Sequence, residues 1–182
     1  MALEFTASYI KESTGILHHY KLLAERAIAQ VPDEALTLTL DPESNSIATI
    51  MKHLAGNMRS RWTDFLTSDG EKSFRNRDGE FESPPETRAE MMEAWETGWK
   101  CVFDTLATLS DSDLSRQITI RNESHSVMQA ITRHIAHLSY HTGQIVFLAK
   151  HFAGKDWKTL TIPRGKSADY NSLVASGKAS QR

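Results

Sequence analysis

Four stretches of this chain space their apolar residues three and four apart, the helical period, and no succession of alternating segments supplies the strands of a sheet protein. An all-α fold is predicted, an antiparallel four-helix bundle. The first helix is expected over about residues 6–30, with Tyr9, Ile10, Leu17, Leu22, Leu23, Ala27 and Ile28 toward the core. The second is expected over 44–67, capped by Ser44 or Ser46 and burying Ile47, Ile50, Met51, Leu54, Met58, Trp62 and Phe65. A third, over 84–109, starts from Ser83 or Thr87, each followed by a glutamate three residues on, and buries Met91, Met92, Trp95, Trp99, Val102, Phe103 and Leu106. The fourth, over 126–152, opens with Ser126 and Gln129 in the same capping relation.

The connections carry their own signals. "ITIRNESHSV" alternates around an "RNES" turn and is expected as a short hairpin bracing the fourth helix. Residues 68–85, "SDGEKSFRNRDGEFESPP", form a long charged link of the kind that is either functional or disordered, and Phe74 and Phe81 argue for order. The tail over 154–182 reads as irregular and is expected to pack back across the helices. At 182 residues and 40% hydrophobic composition, the chain can bury one core as a single domain without a disulfide.

Charge narrows the partners. A net charge of −2 with acids and bases interspersed offers no broad basic face, so nucleic acid is not expected. Arg59, Arg61, Lys72, Arg75 and Arg77 cluster around one loop and would suit a small anion, although such a run is also an ordinary solvated face. No run approaches the ~18 apolar residues of a membrane span, and the N-terminus lacks the pattern of a signal peptide. The single Cys101 lies among apolar residues, which fits a reducing compartment. A cytoplasmic protein acting on a small molecule is expected.

The chemistry concentrates in "RHIAHLSYHTGQI". At 100° per residue, Ile131, Ile135, Leu138 and Ile145 form one stripe of the fourth helix, and His134, His137 and His141 fall along its edge. His137 and His141, four apart, can converge on one ion, whereas His134 and His141 are ~10 Å apart along the axis. A third ligand has to come from another helix. His53, in "IMKHLAGNMRSRW", is the candidate, with Asn57 and Arg61 continuing the same polar edge. Gln144 could orient a ligand or a substrate, or be solvated. Spacing alone leaves the histidine pair open between ligands and ordinary packing residues.

"KHLAGNMRSRW" and "HIAHLSYHTGQI", in that order and separated by one further helix, resemble the DinB-like family of metal-dependent proteins, also called DinB/YfiT-like metalloenzymes. The resemblance covers most of the chain. It implies a four-helix bundle of up-down-down-up topology in which His53, His137 and His141 hold a divalent ion, zinc or nickel foremost, and a homodimer to which an exposed aromatic such as Trp157 could contribute. It further implies a thiol transferase that uses a low-molecular-weight thiol such as bacillithiol, mycothiol or glutathione. Thr142 departs from the arginine that many members carry after the second histidine. Three neutral imidazoles leave the ion its full charge and an open position for thiol or water. Arg61, Arg75, Arg77 and Asp78 are then candidates, with Asn57 and Gln144, to hold a reactant. Two other outcomes fit the same residues: a hydrolase, or a non-catalytic, stress-related metal-binding or interaction module.

Overall fold

The computed structural model describes residues 7–180 and is mostly helical, with five α-helices and one two-stranded sheet. The elements are α1 (Tyr9–Ile28), α2 (Ile47–Trp62), α3 (Arg88–Thr108), β1 (Gln117–Ile120), β2 (Glu123–Ser126), α4 (Val127–Ala153) and α5 (Ser167–Ala175).

Local chemistry sets the boundaries. The Ser8 side chain caps α1, and Ser46 rather than Ser44 caps α2 by accepting from the Thr49 N–H at 3.1 Å. α2 stops at Trp62, short of the expected 67, because Thr63 is extended and Asp64 turns to φ 47°. Phe65 is nonetheless buried beyond that turn. Thr87, not Ser83, opens α3, its hydroxyl and the Glu90 carboxylate each accepting the other residue's backbone N–H. Ser126 and Gln129 do the same for α4. The hairpin forms as read, Arg121 and Asn122 supplying the two positive φ angles, 55° and 62°, of a tight turn.

Cross-helix contacts give the chain directions. Gly98 of α3 lies against Ala55 and Met58 of α2, and Thr105 donates to the Trp62 carbonyl at 2.9 Å, so rising numbers on one helix meet rising numbers on the other. α2 and α3 therefore run parallel, unlike the all-antiparallel neighbours inferred from periodicity. The approach is close: a Cβ on Gly98 would stand 3.1 Å from the Ala55 Cα. α4 runs against α2, with Trp62 beside His134 and His53 beside His141. α1 runs against α3, where His18 stacks on Phe103 at 3.9 Å and the Trp95 indole donates to Glu25 at 3.0 Å. Leu17, Leu54, Trp95, Trp99, Ile131 and Leu138, drawn from all four long helices, are almost wholly excluded from water. Within the expected α1 core, Leu22 faces solvent and Leu23 is only half-buried, while Ala24 takes an inward position.

The first part of the tail packs back on the helices, as expected. The Gln30 side-chain amide donates to the Lys158 carbonyl and accepts from the Lys158 N–H, and Trp157 and Leu160 pack half-buried on the core, so Trp157 is not a freely exposed aromatic. Beyond them α5 replaces the predicted irregular chain but buries none of its side chains. Its nine residues carry no apolar stripe, which is why periodicity did not reveal it. Among the described residues no helix is long and apolar enough to cross a membrane.

Candidate metal centre

The α2 and α4 edges predicted to be polar face each other. His53, His137 and His141 each bring one ring nitrogen to within 4.8 Å of the other two, close enough to hold a metal ion. His53 Nε2 and His137 Nε2 stand 3.1 Å apart. Neighbouring donors at ~2.0–2.1 Å from a common ion are separated by roughly 3.0–3.4 Å, so this spacing suits two ligands of one centre. The three rings meet edge to face, with centroids 4.7 to 5.2 Å apart.

Each outer ligand is held by a second residue. His141 Nδ1 lies 2.7 Å from the Gln144 side-chain oxygen, which can only accept, so the imidazole donates from Nδ1 and keeps its Nε2 lone pair. Gln144 thus faces the ligand, one of the two roles open to it from sequence. His53 Nδ1 lies 2.9 Å from Glu80 Oε2, and the same argument leaves His53 Nε2 as the donor atom for an ion. Burial pushes the Glu80 carboxyl up, but hydrogen bonds from His53 and Arg75, and the Arg75 charge, outweigh it and hold the group below its usual range. Burial lowers His137 to about 3, with further lowering from the neighbouring His141, His53, Arg75 and Arg133. His141 is lowered too, by burial first, against the Gln144 hydrogen bond. Both shifts favour the neutral imidazole at His137 and His141, the form that ligates metals.

Glu80 was not foreseen. It comes from the long connection, in a short 3-10 turn at Asp78–Glu80, and is buried. Room for it is made by Gly56 on α2, where any Cβ would fall on the Glu80 carboxylate. A glycine inside a helix beside a candidate ligand was the one available signal. Phe81 follows and packs on the His53 ring at 4.7 Å.

The loop arginines are mostly spoken for. Arg75, expected to grip a reactant, instead donates from Nε and Nη2 to the two Glu80 oxygens at 2.8 and 3.0 Å, with a side chain only 2% exposed. Its fork already holds a carboxylate. Arg61 donates to the Gly70 carbonyl and, at 3.0 Å, to Glu71, which also takes Arg121 at 2.8 Å. Arg77 lies over the outer face of Phe81 and Asp78 points into solvent, so neither joins the histidines. Asn57 and Arg61 do line a cavity of about 200 Å³ that reaches His137. His134, set apart on spacing grounds, also lines it.

The connection and the hairpin are tied together. Asp69 accepts backbone N–H groups from Glu71, Arg121 and Asn122 at 2.6 to 2.9 Å, and the Gly70 N–H donates to the Thr119 carbonyl at 2.8 Å. This places Ile120 in the cavity wall.

The profile of a family described as "Protein of unknown function (DUF1572)" matches residues 4–166. The chain belongs to this family. The matched span takes in α1 to α4, the hairpin, and every residue of the DUF1572 chain's histidine cluster. No curated protein matches the sequence.

Proposed function

We propose that this chain is a divalent-metal-dependent enzyme of DinB-like type, built as an up-down-down-up four-helix bundle in one domain, with His53, His137 and His141 as the ligands. The observation that carries this reading is the meeting of three imidazoles from two helices, two of them already oriented by Glu80 and Gln144. The parallel α2 and α3, the long link between them and the quoted motifs support the family assignment. Bound there, zinc or nickel would supply Lewis acidity, making a thiol or water that joins it more acidic.

The protein's own residues perform the rest. Glu80, fixed by Arg75, holds the His53 tautomer, and Gln144 holds that of His141. Asn57 and Arg61 border the space where a reactant meets the His137 edge. Cys101 lies on α3, so the nucleophile comes from the second reactant, a small thiol in the transferase reading and water in the hydrolase reading. The transferase stands first, through the family resemblance, in a cytoplasmic setting.

Metal analysis of tag-free protein tests this. His53→Ala, His137→Ala and His141→Ala are each expected to lose the ion, and His134→Ala to keep it. Stoichiometric metal persisting in all three would end the assignment. Thiol-dependent turnover of model electrophiles by the loaded protein then separates an enzyme from a binding module.

A further inference from the structure

We infer that the cavity between α2, α4 and the hairpin binds a small organic anion with an apolar, ring-sized body, as the second reactant of the histidine centre. The inference rests on the metal reading above, because His137 belongs both to the cluster and to the cavity wall.

Shape gives the apolar body. Trp62 and Phe65 stack at 4.8 Å and 13°, and with Ile120 and Ala130 they wall a space of about 200 Å³. An apolar cavity of about 150 Å³ takes a benzene ring. One ring and a short substituent fit.

Unsatisfied polar atoms give the rest. His134 is 5% exposed and its Nε2 has no hydrogen-bond partner, and the buried Trp62 Nε1 has none either. Both residues line this cavity. An indole N–H can only donate, so it requires an acceptor. At the solvent edge Arg133 carries no ion pair or side-chain hydrogen bond among the described residues, whereas Arg61, Arg75 and Arg121 are all occupied by Glu71 or Glu80. The half-buried Asn57 amide is likewise unpaired. A free guanidinium at the mouth of an aromatic-walled space is complementary to a carboxylate on a ring.

Benzoate is the probe, with benzylamine and benzyl alcohol as controls of the same body and different charge. Calorimetry and the tryptophan indole NMR resonances, Trp62 being assigned with Trp62→Phe, provide the readouts, and metal content is measured on every sample. Benzoate is expected to bind saturably, to move the Trp62 indole signal, and to bind about fivefold more weakly to Arg133→Gln, an exposed position that leaves the fold intact. Ala130→Leu, which fills the cavity, is expected to abolish binding. Benzylamine binding as well as benzoate, or no benzoate binding to fully metallated protein, would overturn the proposal. So would binding that Arg133→Gln and Ala130→Leu leave untouched but metal removal eliminates, since that is carboxylate on the ion alone. Benzoate binding with the predicted variant pattern in protein that never holds metal would keep the cavity and sink the metal centre.

Discussion

The two sides of α2 solve opposite problems. Toward α3, Ala55 and Met58 meet Gly98 at backbone contact, both almost wholly excluded from water. Toward α4, one helical edge presents His53, Asn57 and Arg61, and there ring nitrogens converge while Asn57, Trp62 and His134 keep polar groups without partners. The first side secures the helix pair by exclusion of water. The second holds polar groups that the described residues leave unpaired. Stability and chemistry are thus separated by about half a turn of one helix, and substitutions on the two sides should fail in different ways.

The largest effect is expected on the α3 side. Met58→Ala removes a fully buried side chain and should lower unfolding free energy by about 3 kcal/mol in denaturant titrations, while the folded fraction keeps its metal. Retained stability with lost metal would reverse the assignment of the two sides.

Next comes acid. Burial, with the neighbouring His137, lowers His134 to about 3 from an ordinary 6.5. Between those values the unfolded chain binds the proton and the folded one does not, so the contribution is intact above pH 6.5 and drains away as pH falls toward 3. Metal-free wild type should lose about 2–3 kcal/mol more than His134→Leu on going from pH 6.5 to 4.5. Equal losses would mean that His134 is not held neutral.

The smallest effect belongs to the support behind the ligands. Glu80→Gln keeps the shape but weakens the hold on His53, and metal affinity should fall about tenfold to a hundredfold in competition with a chelator. An unchanged affinity would reduce Glu80 to a structural partner of Arg75.

Much of this was written locally. Helix period, the Thr87 and Ser126 capping residues and the Arg121–Asn122 turn are short-range signals, and each acts within a few residues. The four-residue step from His137 to His141 is of the same kind, whereas His53 was singled out as the polar residue on a facing edge and by family resemblance. Glu80 reaches His53 across 27 residues through a loop with no period, and Arg75 could be read only as a free charge until Glu80 was seen beneath it. The cavity behind His134 draws on three elements, so no single stretch announces it.

The parallel run of α2 and α3 has a further effect. Two helices pointing the same way cannot be joined by a tight turn, so the chain must travel back along the roughly 24 Å length of α2 before α3 can begin. That return journey, residues 63–87, is the very material that delivers Glu80 behind His53 and clamps the hairpin tip. The topology obliges the chain to lay a belt past its own histidines.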